Sequence, residues 1–173
     1  PKLSIITVVY NGAAFVEQAM KSVLNQGYAN LEYIVIDGGS TDGTVDIIKR
    51  YERQLSYFVS EPDKGIYNAM NKGLAKASGD FIGILNADDY YESGTFEKVA
   101  AAASNGSIIH GNMNTRRDFG ERSYTRTETP NVDLMPQTMG VFHPATFVSQ
   151  KVYHEIGGFD EQYRLSADYD FML

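Results

Sequence analysis

Hydrophobic positions along the chain fall into two kinds of run. Leu3–Val9, Leu31–Asp37, Leu55–Ser60 and Asp80–Asn86 are rich in β-formers, and the first, second and fourth are almost unbroken Ile, Val, Leu, Phe and Tyr. Runs of that sort suit strands covered on both faces, as in a parallel sheet. Between them the apolar residues recur at helical spacing: Val16, Ala19, Met20, Val23 and Leu24, then Ile66, Ala69, Met70, Gly73, Leu74 and Ala77. A shorter set, Val45, Ile48 and Tyr51, predicts a helix opened near Ser40-Thr41-Asp42, whose side chains suit an N-cap. Gly27 and Gly79 stand where helices should stop. Strand and helix alternate, so the pattern predicts βαβ units with right-handed crossovers and an α/β fold with a mainly parallel sheet flanked by helices.

The second half is less regular. A helix is predicted over 93–103, ending before Asn105-Gly106. Beyond it, Ile108–Met113 and Arg122–Thr127 read as a hairpin and Phe142–Val148 as a further strand. Asp168–Leu173 reads as the start of an amphipathic helix with no stop signal, so the chain is expected to continue past Leu173.

Polar clusters follow three of the strands: Tyr10-Asn11-Gly12, Asp37-Gly38-Gly39-Ser40-Thr41-Asp42 and Asn86-Ala87-Asp88-Asp89. In a parallel sheet all three stand on the carboxyl edge, where open α/β sheets bind ligands. Asp88 and Asp89 repel each other unless a cation or proton sits with them. Oxygen ligands without cysteine favour Mg²⁺ or Mn²⁺ over Zn²⁺. The same pair also reads as a solvated acidic turn before the helix near Ser93. Asp37 can accept an N–H or O–H from a base or ribose, or serve as a charge at the next helix's N-terminus. Tyr10 offers a face for stacking, or is an ordinary strand-end tyrosine.

Length and charge narrow the classes. The chain has 173 residues, enough for one domain with a real core. Lys and Arg number 15 against 22 Asp and Glu, a net charge of −7 that disfavours nucleic-acid binding. A phosphorylated ligand would therefore draw its cation largely from a metal. There is no cysteine, which excludes disulfides, zinc thiolates and thiol nucleophiles. No signal-peptide pattern and no apolar run of about 18 residues is present, so no membrane span is expected in this chain. Neither G-x-x-x-x-G-K-[ST] nor G-x-G-x-x-G occurs, which argues against a P-loop ATPase and a dinucleotide dehydrogenase.

With these residues in view, the chain resembles family 2 glycosyltransferases. The matching stretches are Ser4–Asn11, Ile36–Thr44, Gly65–Leu74, Gly79–Ile82 and Leu85–Asp89, followed by His143, Gly157–Glu161 and Ser166–Asp170, in the family's order across nearly the whole chain. The resemblance implies a GT-A fold and transfer of a sugar, with inversion, from a nucleotide diphosphate donor, most commonly a UDP-sugar. On that reading residues 1–106 form the nucleotide-sugar-binding half and 107–173 the acceptor side of a single domain. Donor contacts would come from Thr7, Tyr10, Asp37, Lys64, Asn86, Ala87 and Asp88, with Asp88 also on the metal. Asp168 falls where the family keeps its catalytic base; Asp170 and Asp160 are its rivals. His143 and Asp89 would lie on the acceptor side. The acceptor would be a glycan or lipid-linked hydroxyl, and the site of action cytoplasmic, with the inner face of the membrane as a peripheral location.

Departures from the family pattern are concentrated at charged positions. The family's D-x-D is Asn86-Ala87-Asp88, so one carboxylate is an amide, which can accept a hydrogen bond but brings no charge. Gly38 replaces a second aspartate, Met70 a frequent arginine, and Ala167 a glutamate before the base. Two other classes remain open on sequence: a nucleotide-sugar-binding module without catalysis, and a scaffold domain with a degenerate site.

Overall fold

The computed structural model describes residues 1–103, 108–120 and 122–173. Its elements are β1 (Leu3–Val9), α1 (Val16–Leu24), β2 (Leu31–Asp37), α2 (Thr44–Lys49), β3 (Tyr57–Ser60), α3 (Ile66–Leu74), β4 (Phe81–Asn86) and α4 (Thr95–Ala102). There follow β5 (Ile108–His110), β6 (Met113–Phe119), β7 (Arg122–Glu128), β8 (Thr146–Ser149), α5 (Gln150–Ile156) and α6 (Ala167–Met172). Six strands form one sheet in the order β3-β2-β1-β4-β8-β5. The pairs among β3, β2, β1 and β4 are parallel, while β8 runs antiparallel to both β4 and β5.

Alternation along each central strand divides the core into two layers. Ile5, Val9, Tyr33, Val35, Phe81 and Leu85 face α1, α2 and α4, packing on Val16, Met20, Ile48 and Phe96. Ile6, Val8, Ile34, Ile36, Ile82 and Ile84 face the opposite way, onto Tyr67 and Met70 of α3 and Phe159 and Phe171 further on. Both faces of these strands are thus covered, which is why they read as continuous apolar runs rather than alternating ones.

The second half differs from its sequence reading. Ile108–His110 does not pair with the segment at 122; it joins the main sheet beside β8, and the hairpin is β6 with β7. The strand read from Phe142 begins only at Thr146, because Pro144 lies in a 3-10 turn over His143–Ala145. Gly79 ends no helix: a Cβ there would sit 2.6 Å from the Ser4 nitrogen, so it is a close approach to β1. Gly27, at φ +67°, does follow α1 as a stop. The stop at Asn105-Gly106, and with it the division at 106, lies outside the described residues. Among the described residues no helix is long and apolar enough to cross a membrane.

At the sheet edge opposite the polar clusters, Glu32 is 9% exposed. Its carboxylate accepts hydrogen bonds from Lys2 Nζ (2.6 Å), Ser4 Oγ (2.5 Å), Ser78 N (2.7 Å) and Ser78 Oγ (2.7 Å). Burial pushes this carboxyl up, but the donors from Lys2, Ser4 and Ser78 outweigh it and hold the pKa at about 2, below the ordinary 4.5. A folded pKa below the unfolded one stabilises fully above about pH 4.5 and ceases to do so as pH falls toward 2. Glu32→Gln should therefore lower unfolding free energy at pH 7 by on the order of 2–3 kcal/mol. The gap from wild type should narrow in urea melts between pH 4.5 and 3; a pH-independent gap would exclude the ionised carboxylate as its source.

Candidate active site

Register brings the polar clusters together. Val9 pairs with Asp37 on one side of β1, and Val8 with Asn86 on the other, so Tyr10, Gly38 and Ala87 leave the sheet at one rim. The first two turns are then stitched to each other. Asn11 N donates to Ser40 Oγ (2.7 Å), Thr41 N to Asn11 Oδ1 (2.9 Å), Gly12 N to Thr44 Oγ1 (2.9 Å) and Ala13 N to Asp42 Oδ2 (3.0 Å). Asp42 also accepts from Thr44 N at the start of α2, but the N-cap position itself is Gly43, just past the Ser40–Asp42 read from sequence. Four cross-turn bonds keep Tyr10 beside Asp37 and leave its ring 66% exposed, open to stacking.

Asp37 is fully buried. Its Oδ2 accepts from Gly39 N (3.1 Å), Ser40 N (2.9 Å) and Ser60 Oγ (2.7 Å), whereas its Oδ1 has no partner. Asn86 Oδ1 is likewise buried and unpartnered. A buried acceptor left unpaired costs about 1–3 kcal/mol, so two of them at one rim favour a ligand that brings N–H or O–H donors.

Gly38 is closely approached by a neighbour. A Cβ at Gly38 would meet Asp63 Oδ2 at 2.4 Å and Tyr10 Cδ2 at 3.4 Å. The Asp63 carboxylate therefore reaches this corner from the turn before α3. Its other oxygen accepts from Gly65 N at 2.9 Å. Sequence reasoning missed Asp63; the signal was the turn-forming Glu61-Pro62-Asp63-Lys64-Gly65 directly before a helical pattern.

The remaining site residues are distributed over two adjoining cavities. One, of about 260 Å³, is lined by Tyr67, Met70, Asn86, Met113, His143 and Asp168 among others. The second, of about 800 Å³, has Asp88 and Asp89 in its lining and shares Met113 and Pro144 with the first. Tyr10 and Asp37 line neither cavity, and stand beside them on the rim. Thr7 does not reach the rim: it is fully buried, and its hydroxyl is bonded to Tyr33 Oη at 3.0 Å inside the α1 layer. Lys64 is exposed, and its charge acts on Glu161, whose carboxyl is held low mainly by the Asn71 amide.

Charges in the cavities are uneven. Burial first, and the Asp88 charge second, raise Asp89 above the ordinary carboxylate value, against a hydrogen bond from Asn86. Burial pushes the His143 imidazole down, against the charge of Asp168, so it is neutral at pH 7. Its ring packs edge-on against Phe159 at 5.6 Å. Asp168 Oδ1 accepts from Tyr67 Oη at 2.8 Å. The loop ahead of Asp168 is held by α3, since Asn71 Nδ2 donates to Phe159 O (2.8 Å) and Glu161 Oε1 (3.0 Å), and Phe159 N donates to Asn71 Oδ1 (2.9 Å).

No group of three or more His, Cys, Asp or Glu is placed to hold a metal among the described residues. Mg²⁺ does not demand one, because it keeps several waters and is bound by one or two carboxylates together with substrate phosphates. An exposed Asp88 beside a carboxylate whose charge is disfavoured fits that mode.

The family model for glycosyl transferase family 2 matches residues 4–159. An uncharacterized glycosyltransferase of Mycobacterium tuberculosis is 32% identical over 182 residues, which take in the whole of this chain and 68% of the relative. A PGL/p-HBAD biosynthesis glycosyltransferase of Mycobacterium bovis is 30% identical over 180 residues, again the whole of this chain and 69% of the relative. In structure, residues 1–349 of TarS of S. aureus in complex with UDP superpose with a TM-score of 0.78 at 21% identity, over 99% of this chain and 54% of that one. A mannosyltransferase of Pyrobaculum calidifontis in complex with GDP-Man and Mn²⁺ gives a TM-score of 0.68 at 19% identity, over 93% of this chain and 48% of that one. This chain thus spans about two thirds of these two curated relatives and about half of these two solved chains. At these identities the solved structures establish the fold, which is GT-A.

The Asn71 clamp carries a prediction. Asn71→Ala removes three hydrogen bonds and leaves the Phe159 N–H and C=O unpaired, so stability should fall by about 2–3 kcal/mol. Limited proteolysis should then cut within 157–166 before the rest of the chain; unchanged protection there would mean that the loop is held by packing alone.

Proposed function

Because the chain belongs to glycosyl transferase family 2, we propose that it moves a sugar from a nucleoside diphosphate donor to an acceptor hydroxyl with inversion, using Asp168 as base and a divalent cation on Asp88. One observation carries this reading. Asp168 and Asn86 line the same cavity, and Asn86 belongs to the rim that also carries Tyr10, Asp37 and Asp88. A donor laid along the rim would have its base on Tyr10 and against Asp37, with Asp63 as a second carboxylate for the nucleoside. Asn86 and Ala87 would flank the ribose and phosphates. The sugar would then enter the cavity toward Asp168. UDP is the favoured nucleotide, supported by the UDP complex of the structural neighbour TarS.

The chemistry is a single displacement. Asp168 accepts the proton of the acceptor hydroxyl as that oxygen attacks the anomeric carbon. The bond from that carbon to the diphosphate oxygen breaks, and its electron pair leaves with the nucleoside diphosphate. Attack from the side opposite the leaving group inverts the anomeric centre. Mg²⁺ or Mn²⁺, held by Asp88 and the diphosphate, would offset the charge that grows on the leaving group. Neutral His143 forms part of the cavity wall and can donate or accept a hydrogen bond to a sugar hydroxyl without adding charge. Asp89, in the same cavity lining as Asp88, would face the acceptor. A lipid-linked or glycan acceptor belongs to the same reading, alongside a relative from Mycobacterium bovis named for PGL/p-HBAD biosynthesis.

A thermal-shift panel of UDP, GDP and their sugars, with and without Mn²⁺, identifies the donor. Asp88→Ala should abolish the Mn²⁺-dependent part of the shift; an unchanged metal response rules Asp88 out as ligand. Asp168→Asn should lower kcat by about 10²–10⁴-fold with donor affinity within twofold of wild type. Wild-type turnover in that variant removes Asp168 from the base role.

A further inference from the structure

Tyr67 is a residue that the donor chemistry does not use, yet it touches the proposed base. It lies in the first turn of α3, is 8% exposed, and packs its ring against Phe159 at 5.7 Å. Its hydroxyl is engaged on both sides. It donates to Asp168 Oδ1 at 2.8 Å and accepts the backbone N–H of Ser166 at 2.8 Å. Ser166 is the residue that opens α6, and it does so at φ +91°, a left-handed conformation that a non-glycine residue rarely adopts. One phenol oxygen therefore ties down both the turn into α6 and the carboxylate two residues on. Asp168 Oδ2 accepts no hydrogen bond among the described residues.

We propose that Tyr67 is the positioning residue for Asp168, fixing Oδ1 and the start of α6 so that Oδ2 is left to take the acceptor proton. The proposal rests on the reading of Asp168 as base. The chemistry of the contact is directional. Burial, then the Asp168 carboxylate, raise the Tyr67 phenol, so it stays protonated and remains a donor throughout the working pH range. A hydrogen bond donated to the charged form of a carboxylate favours that form. Tyr67 thus restricts the rotation of the Asp168 carboxylate inside a partly apolar cavity. The titratable groups facing Asp168 from packed elements are the Tyr67 phenol on α3 and the neutral His143 imidazole on the turn before β8; Asp170 shares its helix. Sequence offered a weak signal, since Tyr67 sits at a helical core position where an aromatic is ordinarily packing.

The test is Tyr67→Phe, which keeps the ring and removes the hydroxyl. In the variant, the ¹³Cγ resonance of Asp168, read at pH 7 from ¹³C-aspartate-labelled protein and assigned with Asp168→Asn, should move from its wild-type position as the hydrogen bond to Oδ1 is lost. On the donor identified by thermal shift, kcat should fall about ten- to a hundredfold with donor KM, and affinity for UDP with Mn²⁺, within twofold of wild type. Ser166→Gly added to Tyr67→Phe relieves the left-handed strain and keeps the turn, and supplies a folded protein where Tyr67→Phe alone melts too early. An Asp168 ¹³Cγ resonance that does not move, or a kcat restored by Ser166→Gly, would overturn the proposal, because Tyr67 would then act only through the backbone. The NMR reading needs no donor. It therefore separates a failure of the Tyr67 contact from a failure of Asp168 as base, which Asp168→Asn turnover reports on its own.

Discussion

Helix α3 joins the two halves of the molecule through side chains one turn apart. Asn71 reaches Phe159, 88 residues on in the chain, and Tyr67 reaches Asp168, 101 residues on. Both contacts engage backbone groups as well as side chains, so they set a position rather than add affinity between surfaces. The same helix buries Ala69 and Met70 in the core layer formed by Ile6, Ile34 and Ile84. The sheet therefore fixes α3, and α3 fixes the segment carrying the proposed base. Together with the core packing of Ala167 and Phe171, that chain of contacts sets where Asp168 stands relative to the rim.

Electrostatics at the rim follow from scarcity of cations. Asp37, Asp63, Asp88 and Asp89 gather at the carboxyl ends of β2 and β4 and the turn before α3, in a chain that carries −7 overall. Asp37 is stabilised on one oxygen by three donors from the protein and left bare on the other. Asp89 has its charge disfavoured by burial and by Asp88. Such a rim is matched by a ligand that brings N–H and O–H donors together with a divalent cation, which describes a metal-bound nucleotide. Asp63 takes up the space beside Gly38 from a different element.

Legibility in the sequence tracked the range of the interactions. The parallel strands, the helices at 16–24 and 66–74, and the convergence of Tyr10, Asp37 and Asn86 were all readable, because two-sided burial and 3.6-residue periodicity are local properties. Thr7 was read as a donor contact from its place in a motif, but its parity along β1 turns it inward to Tyr33. β5 was assigned to a hairpin because short antiparallel runs do not encode their partner, and its partner β8 lies almost forty residues on. Asp63 and Tyr67 gave only weak signals, as one looks like a turn residue and the other like core.

What the sequence alone determined is the fold class, the sheet that carries it and the identity of the rim. Apolar runs buried on both faces admit few arrangements, and βαβ connections put their polar ends on one side. What only the tertiary structure decided is which distant groups meet: Asp63 at Gly38, Asn71 at Phe159, and Tyr67 at Asp168. Those meetings depend on side-chain directions and close approaches between segments far apart in the chain, and periodicity holds no record of either.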